Sequence, residues 1–142
     1  MKRILVSIAV LSFVLTACGG GGDSGGDPTA SAWVLESGTV DGADIGLLET
    51  NPITLTFDTD LEQAGGVSAC NNYFGSYTIS GSELSFGEMG QTMMACSPEE
   101  VMDAETKYLQ ALAAVETFSM SGEQLTLTGE GAELVFTVDE EA

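Results

Sequence analysis

Histidine does not occur in the 142 residues of this chain. That absence removes Ser-His-Asp and Cys-His nucleophilic centres, and with them every histidine-bearing zinc site. Bases are nearly as scarce, with Lys and Arg numbering 3 against 22 Asp and Glu, for a formal net charge of −19. Nucleic-acid affinity comes largely from Lys and Arg neutralising phosphates, so nucleic acid is excluded as a partner. The same deficit excludes electrostatic attachment to anionic lipid headgroups. A phosphate loop of the Gly-x-x-x-x-Gly-Lys type is missing too, since the glycine-rich Gly19 to Gly26 has no lysine. No carboxylate spacing singles out a pair that could act on sugars. Catalysis is therefore the function class with the least support, and no dissociable cofactor or metal is expected.

Calcium binding also lacks a complete motif. Asp58-Thr59-Asp60-Leu61-Glu62 opens like an EF-hand loop, but the sixth position is Gln63 rather than glycine and the twelfth is Ala69 rather than a carboxylate. The scattered acids read more simply as a solvated surface, one suited to a salty medium that screens self-repulsion.

What is present begins at the first residues. Lys2 and Arg3 precede the apolar stretch Ile4 to Val14, which has signal-peptide length and is too short to span a bilayer. Leu15-Thr16-Ala17-Cys18 follows and resembles a bacterial lipobox. Residues 1–17 are then a lipoprotein signal peptide, as against an ordinary secretory signal with Cys18 there by chance. Cys18 becomes the acylated first residue, carrying a covalent N-acyl diacylglyceryl lipid. Only Lys107 remains as a base after cleavage, so the acyl chains must hold the protein to the membrane. Gly19 stands where an aspartate commonly favours inner-membrane retention. In a Gram-negative cell this points to the outer membrane, facing the periplasm.

Residues 18–31 read as the acylated terminus and a flexible Gly-rich tether, and 32–142 as one domain. Most of the domain shows period-2 alternation broken by glycine turns. Ile53 to Phe57 alternates, and Leu134 to Val138 closes the chain. Tyr77 to Phe86 and Phe118 to Leu127 share the pattern aromatic-x-apolar-Ser-Gly-x-x-Leu-x-apolar. They read as two hairpins with the same turn chemistry in preference to an internal duplication. A single helix is expected after Ser97, with Ser97 as N-cap, Pro98 at the first position and Glu100 completing a capping box. Its apolar stripe is Val101, Met102, Tyr108, Leu109, Leu112 and Val115. Lys107 follows Asp103 by four, the spacing of a helical ion pair.

Cys70 and Cys96 form an even pair in an exported domain, which favours a structural disulfide over two buried free thiols. They lie too far apart for a Cys-x-x-Cys redox site. The same region carries a resemblance. Gly66-Val67-Ser68-Ala69-Cys70-Asn71-Asn72-Tyr73-Phe74-Gly75-Ser76-Tyr77 resembles the signature of the META domain, found in HslJ-type bacterial envelope proteins. Thr92-Met93-Met94-Ala95-Cys96 resembles that family's Thr-Arg-Met-Ala-Cys, Glu105 to Leu112 its helix, and Leu125-Thr126-Leu127 its late strand. Trp33 and Leu35 suit its opening strand. Met93 replaces an arginine common in the family, so any charge pairing or binding by that arginine is lost here.

The resemblance implies an α+β, mostly β fold: a small, strongly curved antiparallel sheet or conical β-barrel with one packed α-helix. It also implies an envelope role, with members linked to heat response, antibiotic tolerance and secretion. Two readings follow. The first is a non-catalytic adaptor or stress-protection lipoprotein with an envelope protein partner. Asn71, Asn72, Tyr73 and Tyr77 would form its exposed polar-aromatic patch, although asparagines in a turn and tyrosines in the core fit the same residues. The second is a carrier of a small apolar ligand inside the curved sheet, lined by Met89, Met93, Met94, Met102 and Met120.

Overall fold

A computed structural model describes residues 26–142. The stretches read as signal peptide, lipobox with Cys18 and first part of the tether lie outside the described residues. The strands are β1 (Trp33–Val40), β2 (Ala43–Asp44), β3 (Thr54–Asp58), β4 (Gln63–Val67) and β5 (Asn72–Ser80). After them come β6 (Glu83–Phe86), β7 (Gly90–Gln91), helix α1 (Glu99–Ala113), β8 (Val115–Ser121), β9 (Gln124–Gly129) and β10 (Ala132–Val138). Eight of these strands run in the order β1-β3-β4-β5-β6-β8-β9-β10, and β10 pairs back on β1 from Trp33↔Val138 to Val40↔Ala132. Among the described residues the result is a closed antiparallel barrel with one α-helix. The short β2 and β7 hang from β1 and β5.

Both expected hairpins form. Tyr77 faces Phe86 across β5 and β6, and Phe118 faces Leu127 across β8 and β9. Their turns use Gly81 and Gly122 at φ of 62° and 61°, backbone that a Cβ disfavours. The alternating apolar positions point inward. Trp33, Leu55, Leu84, Leu125, Leu127, Leu134 and Phe136 are almost wholly buried. The β1–β10 pairing leaves the eight-stranded wall without a free edge, and the dry faces of its strands line the interior.

Residues 27–31, read from the sequence as part of the tether, pack on the domain. Asp27 Oδ1 accepts a hydrogen bond from Thr29 N at 2.9 Å, and Pro28 to Ala30 make a 3-10 turn with Pro28 buried. The indole of Trp33, itself buried, donates to Pro28 O at 2.7 Å. A buried N–H needs an acceptor, and this need ties residues 27–31 to the domain.

The helix start also differs. Its N-cap is Pro98 in extended backbone, with no side-chain cap hydrogen bond, so the capping box at Ser97 does not form. Glu99 and Glu100 still place their charge in the first turn, at the positive end of the dipole. The buried face is Val101, Ala104, Glu105, Tyr108, Ala111 and Leu112, packed on β1, β10 and β6. Met102 and Leu109 sit at its margin, and Val115 belongs to β8. Lys107 Nζ meets Asp103 Oδ2 at 2.8 Å, as the spacing predicts.

Strand β4 has no sequence signal, since Gln63-Ala64-Gly65-Gly66-Val67 is poor in strand formers. Its glycines are there for close approach. A Cβ on Gly66 would run into the Thr54 carbonyl, and one on Gly65 would lie 2.7 Å from Tyr73 O. The acid-rich run before it is a turn. Asp58 Oδ1 accepts from Asp60 N and Leu61 N, each at 3.0 Å, and no group of three or more acids or cysteines among the described residues could hold a metal. Gly129 is the other tight point, where a Cβ would collide with the Ala114 carbonyl after α1. Gly129→Ala should therefore lower stability by about 1–3 kcal/mol through overpacking, read as a shift in the urea midpoint at unchanged slope.

Candidate functional site

The chain reverses between β4 and β5 at Ser68 to Asn71. Ser68 N donates to Asn71 O at 2.8 Å, and Ala69 takes a left-handed φ of 84° to close the turn. The turn points Asn71 and Ser68 inward, where both are buried. They meet Glu105 from the packed face of α1, which is 3% exposed. Glu105 Oε2 accepts from Ser68 Oγ and from Asn71 N, each at 2.7 Å, and Oε1 accepts from Asn71 Nδ2 at 2.8 Å.

Asn71 passes the connection outward. Its Oδ1 accepts from Met94 N at 2.7 Å and Thr92 Oγ1 at 2.9 Å, while Nδ2 also donates to Met94 O at 3.1 Å. The amide thereby uses its full donor and acceptor capacity. The disulfide Cys70–Cys96 anchors the same segment from its other end, with Cα atoms 5.9 Å apart. Residues 92–96, which have no regular structure beyond β7, are held by the Asn71 amide, by the bonds between Thr92 and Asn72 and by the disulfide, while Glu105 fixes Asn71 itself.

Burial pushes the Glu105 carboxyl up. The side-chain and backbone hydrogen bonds from Asn71, then those from Ser68 and Cys70 N, outweigh it and hold the group below its ordinary value. The carboxylate stays charged and satisfied. Nothing in this geometry leaves an open position beside it for a substrate, so it acts as a clamp. Among the described residues, every buried side-chain nitrogen and oxygen has a partner.

Inside the barrel, Tyr108 OH lies 2.6 Å from Tyr73 OH, which donates on to Thr54 O at 2.8 Å. The rings meet edge to face with centroids 5.5 Å apart. Burial pushes both phenols above their usual value. These side chains, with Trp33, Phe136 and the leucines, fill the interior. Met93 and Met94 are exposed, and Met89, Met102 and Met120 pack at the core margin. The methionines therefore do not line an internal ligand chamber.

The four residues read as an exposed patch do not form one. Asn71 and Tyr73 are buried, Asn72 is exposed, and Tyr77 is half-buried with its ring edge on Phe57 at 5.0 Å. The turn-and-core alternative for Asn71 and Tyr73 is the one the structure adopts, because the alternation of β5 sends Tyr73 inward. The exposed apolar groups of this region are instead Met93 at 89%, Phe74 at 56% and Met94 at 54%. Sequence reasoning missed Glu105, Ser68 and Thr92 as a network. One signal was available: Glu105 lies four after Val101 and three before Tyr108, on the apolar stripe itself.

Several solved structures share this architecture. An NMR structure of a protein from Burkholderia xenovorans is 32% identical, with a TM-score of 0.67 over 78% of this chain and 83% of the other. A second NMR structure is 23% identical, at TM-score 0.59 over 78% of this chain and 90% of its own. A DUF4847 family protein from Bacteroides vulgatus shares the fold at 12% identity and TM-score 0.55, over 80% of this chain and 96% of its own. No curated protein matches the chain. The META domain family model matches residues 27–141, from the Asp27 cap to the last acids. By that match the chain belongs to the META domain family.

Proposed function

We propose that this protein is a non-catalytic envelope lipoprotein, held to the membrane through acylated Cys18, that works by contact with an envelope protein. The observation that carries this is the exposed 92–96 segment. Chains normally bury large apolar side chains or leave them singly scattered. Here Met93, Met94 and Phe74 are exposed, Phe74 pairs with Gly90 three residues before Met93, and the segment is fixed through Asn71, Glu105 and the disulfide. A rigid support under adaptable methionines suits a docking surface, because less ordering entropy is lost on binding.

The lipobox supports an outer-membrane address in a Gram-negative cell, and the tether supports reach from the bilayer. Placing a photo-crosslinking side chain at Met93 in cells should trap one envelope protein. The product should be lost with Cys18→Ala and be absent when the crosslinker sits at Thr78. Equal products from both positions would reject the contact reading. Precursor processing that ignores globomycin would reject the anchor.

A further inference from the structure

A second surface follows β1, where its pairing passes from β3 to β2. On this side β3 bonds β1 only at Trp33 and Val34, and β2 only at Thr39 and Val40. Between them the wall is held by Leu35 N donating to Ile53 O at 2.8 Å and Ile45 N donating to Gly38 O at 3.0 Å. A β-bulge between Leu35 and Ser37 turns Glu36 outward at the same point.

Three adjoining hollows of about 470, 400 and 260 Å³ follow this line. The first two share Val34 and Pro52, and the last two share Glu36 and Leu47, so they form one groove. Its floor is apolar: Val34 and Leu48 are half-buried and Leu47 is 39% exposed. Its walls are acidic. Glu123, Asp139 and Glu140 stand at one end and Glu49 and Asp44 at the other, with Glu36 between them, its Oε2 accepting from Gln124 Nε2 at 3.3 Å. No base lines it, and Lys107, the base among the described residues, is engaged with Asp103.

We infer that this groove binds an extended cationic segment of a partner protein, with apolar and basic side chains alternating. Such a strand places every second side chain on the apolar floor and aims the others at the carboxylates. From Val34 to Gly38 the groove matches about five extended residues, roughly 15 Å. Carboxylates of one sign around a low-dielectric floor concentrate cations more than the same charges spread over a convex face.

The test uses the processed, acylated protein in zwitterionic nanodiscs and a fluorescent peptide of alternating lysine and leucine, with empty discs as blank. Anisotropy should show binding that weakens as salt rises. Glu36→Gln with Glu49→Gln should weaken it about tenfold, the loss of two rim ion pairs of roughly 0.7 kcal/mol each. Glu83→Gln with Glu116→Gln removes the same charge from a different face and should change it by less than about twofold. A lysine-serine peptide of equal charge should bind more weakly, because it leaves the floor uncovered. Equal weakening by both double variants would overturn the site and leave only general polyanion attraction. Absence of binding at low salt would overturn it as well. A partner trapped through Met93 together with no peptide binding would reject the groove while the contact reading stood.

Discussion

Glu105→Ala should remove about 3–5 kcal/mol of folding stability, since it orphans several buried donors at once. Asn71 N and Asn71 Nδ2 donate to this carboxylate, as does the Cys70 backbone, while Ser68 Oγ, which also donates to it, has Asn71 O at 2.9 Å as a second acceptor. Alanine supplies no acceptor and leaves space in a packed interface. Glu105→Gln should fall between wild type and alanine. Its single oxygen can accept part of the load, while its NH2 faces donors. Equilibrium urea denaturation reads the difference, and a loss under about 1 kcal/mol for alanine would mean that water replaces the carboxylate at little cost.

The same group sets an acid limit. Its folded-state value lies below the ordinary 4.5, so the folded state binds this proton less readily than the unfolded chain. The resulting stability is fully present above the unfolded value and is lost as pH falls through the folded one. The gap in stability between wild type and Glu105→Gln should therefore be constant near neutral pH and shrink below about pH 4.5. A gap that widened on acidification would contradict the hydrogen-bond assignment.

Removing the disulfide is the second large effect. With a sequence separation of 26, loop closure predicts a loss of about 3.5 kcal/mol for the Cys70→Ser, Cys96→Ser chain. The bridge and Glu105 hold the same segment, through Cys96 on one side and Asn71 on the other. Their removal should therefore be less than additive. The triple variant should fall short of the summed losses by about 0.5–2 kcal/mol. Strict additivity would show that the two fastenings stabilise the domain independently.

The hairpins at Gly81 and Gly122 were legible because period-2 alternation and a glycine turn are local properties. The helix was legible from its spacing, and the disulfide from two cysteines without a redox motif. Strand β4 was not, because its identity comes from the close approach of β3 and β5, which only glycine permits. The capping box at Ser97 was legible as a motif and yet did not form, since Pro98 itself takes the cap position.

The amino-acid sequence by itself determined the wet and dry faces of the strands, the turns and the absence of histidine chemistry. It also set the acid excess that any partner must meet. Only the tertiary structure decided that Asn71 and Tyr73 turn inward while Met93 stays out. It also decided that Glu105 fixes Asn71, which holds the 92–96 segment, and that the pairing of β1 passes from β3 to β2 beside Glu36. Those outcomes depend on a wall closed by pairs as far apart in the chain as Trp33 and Val138. Burial and hydrogen-bond satisfaction there are settled by barrel closure, which no local spacing encodes.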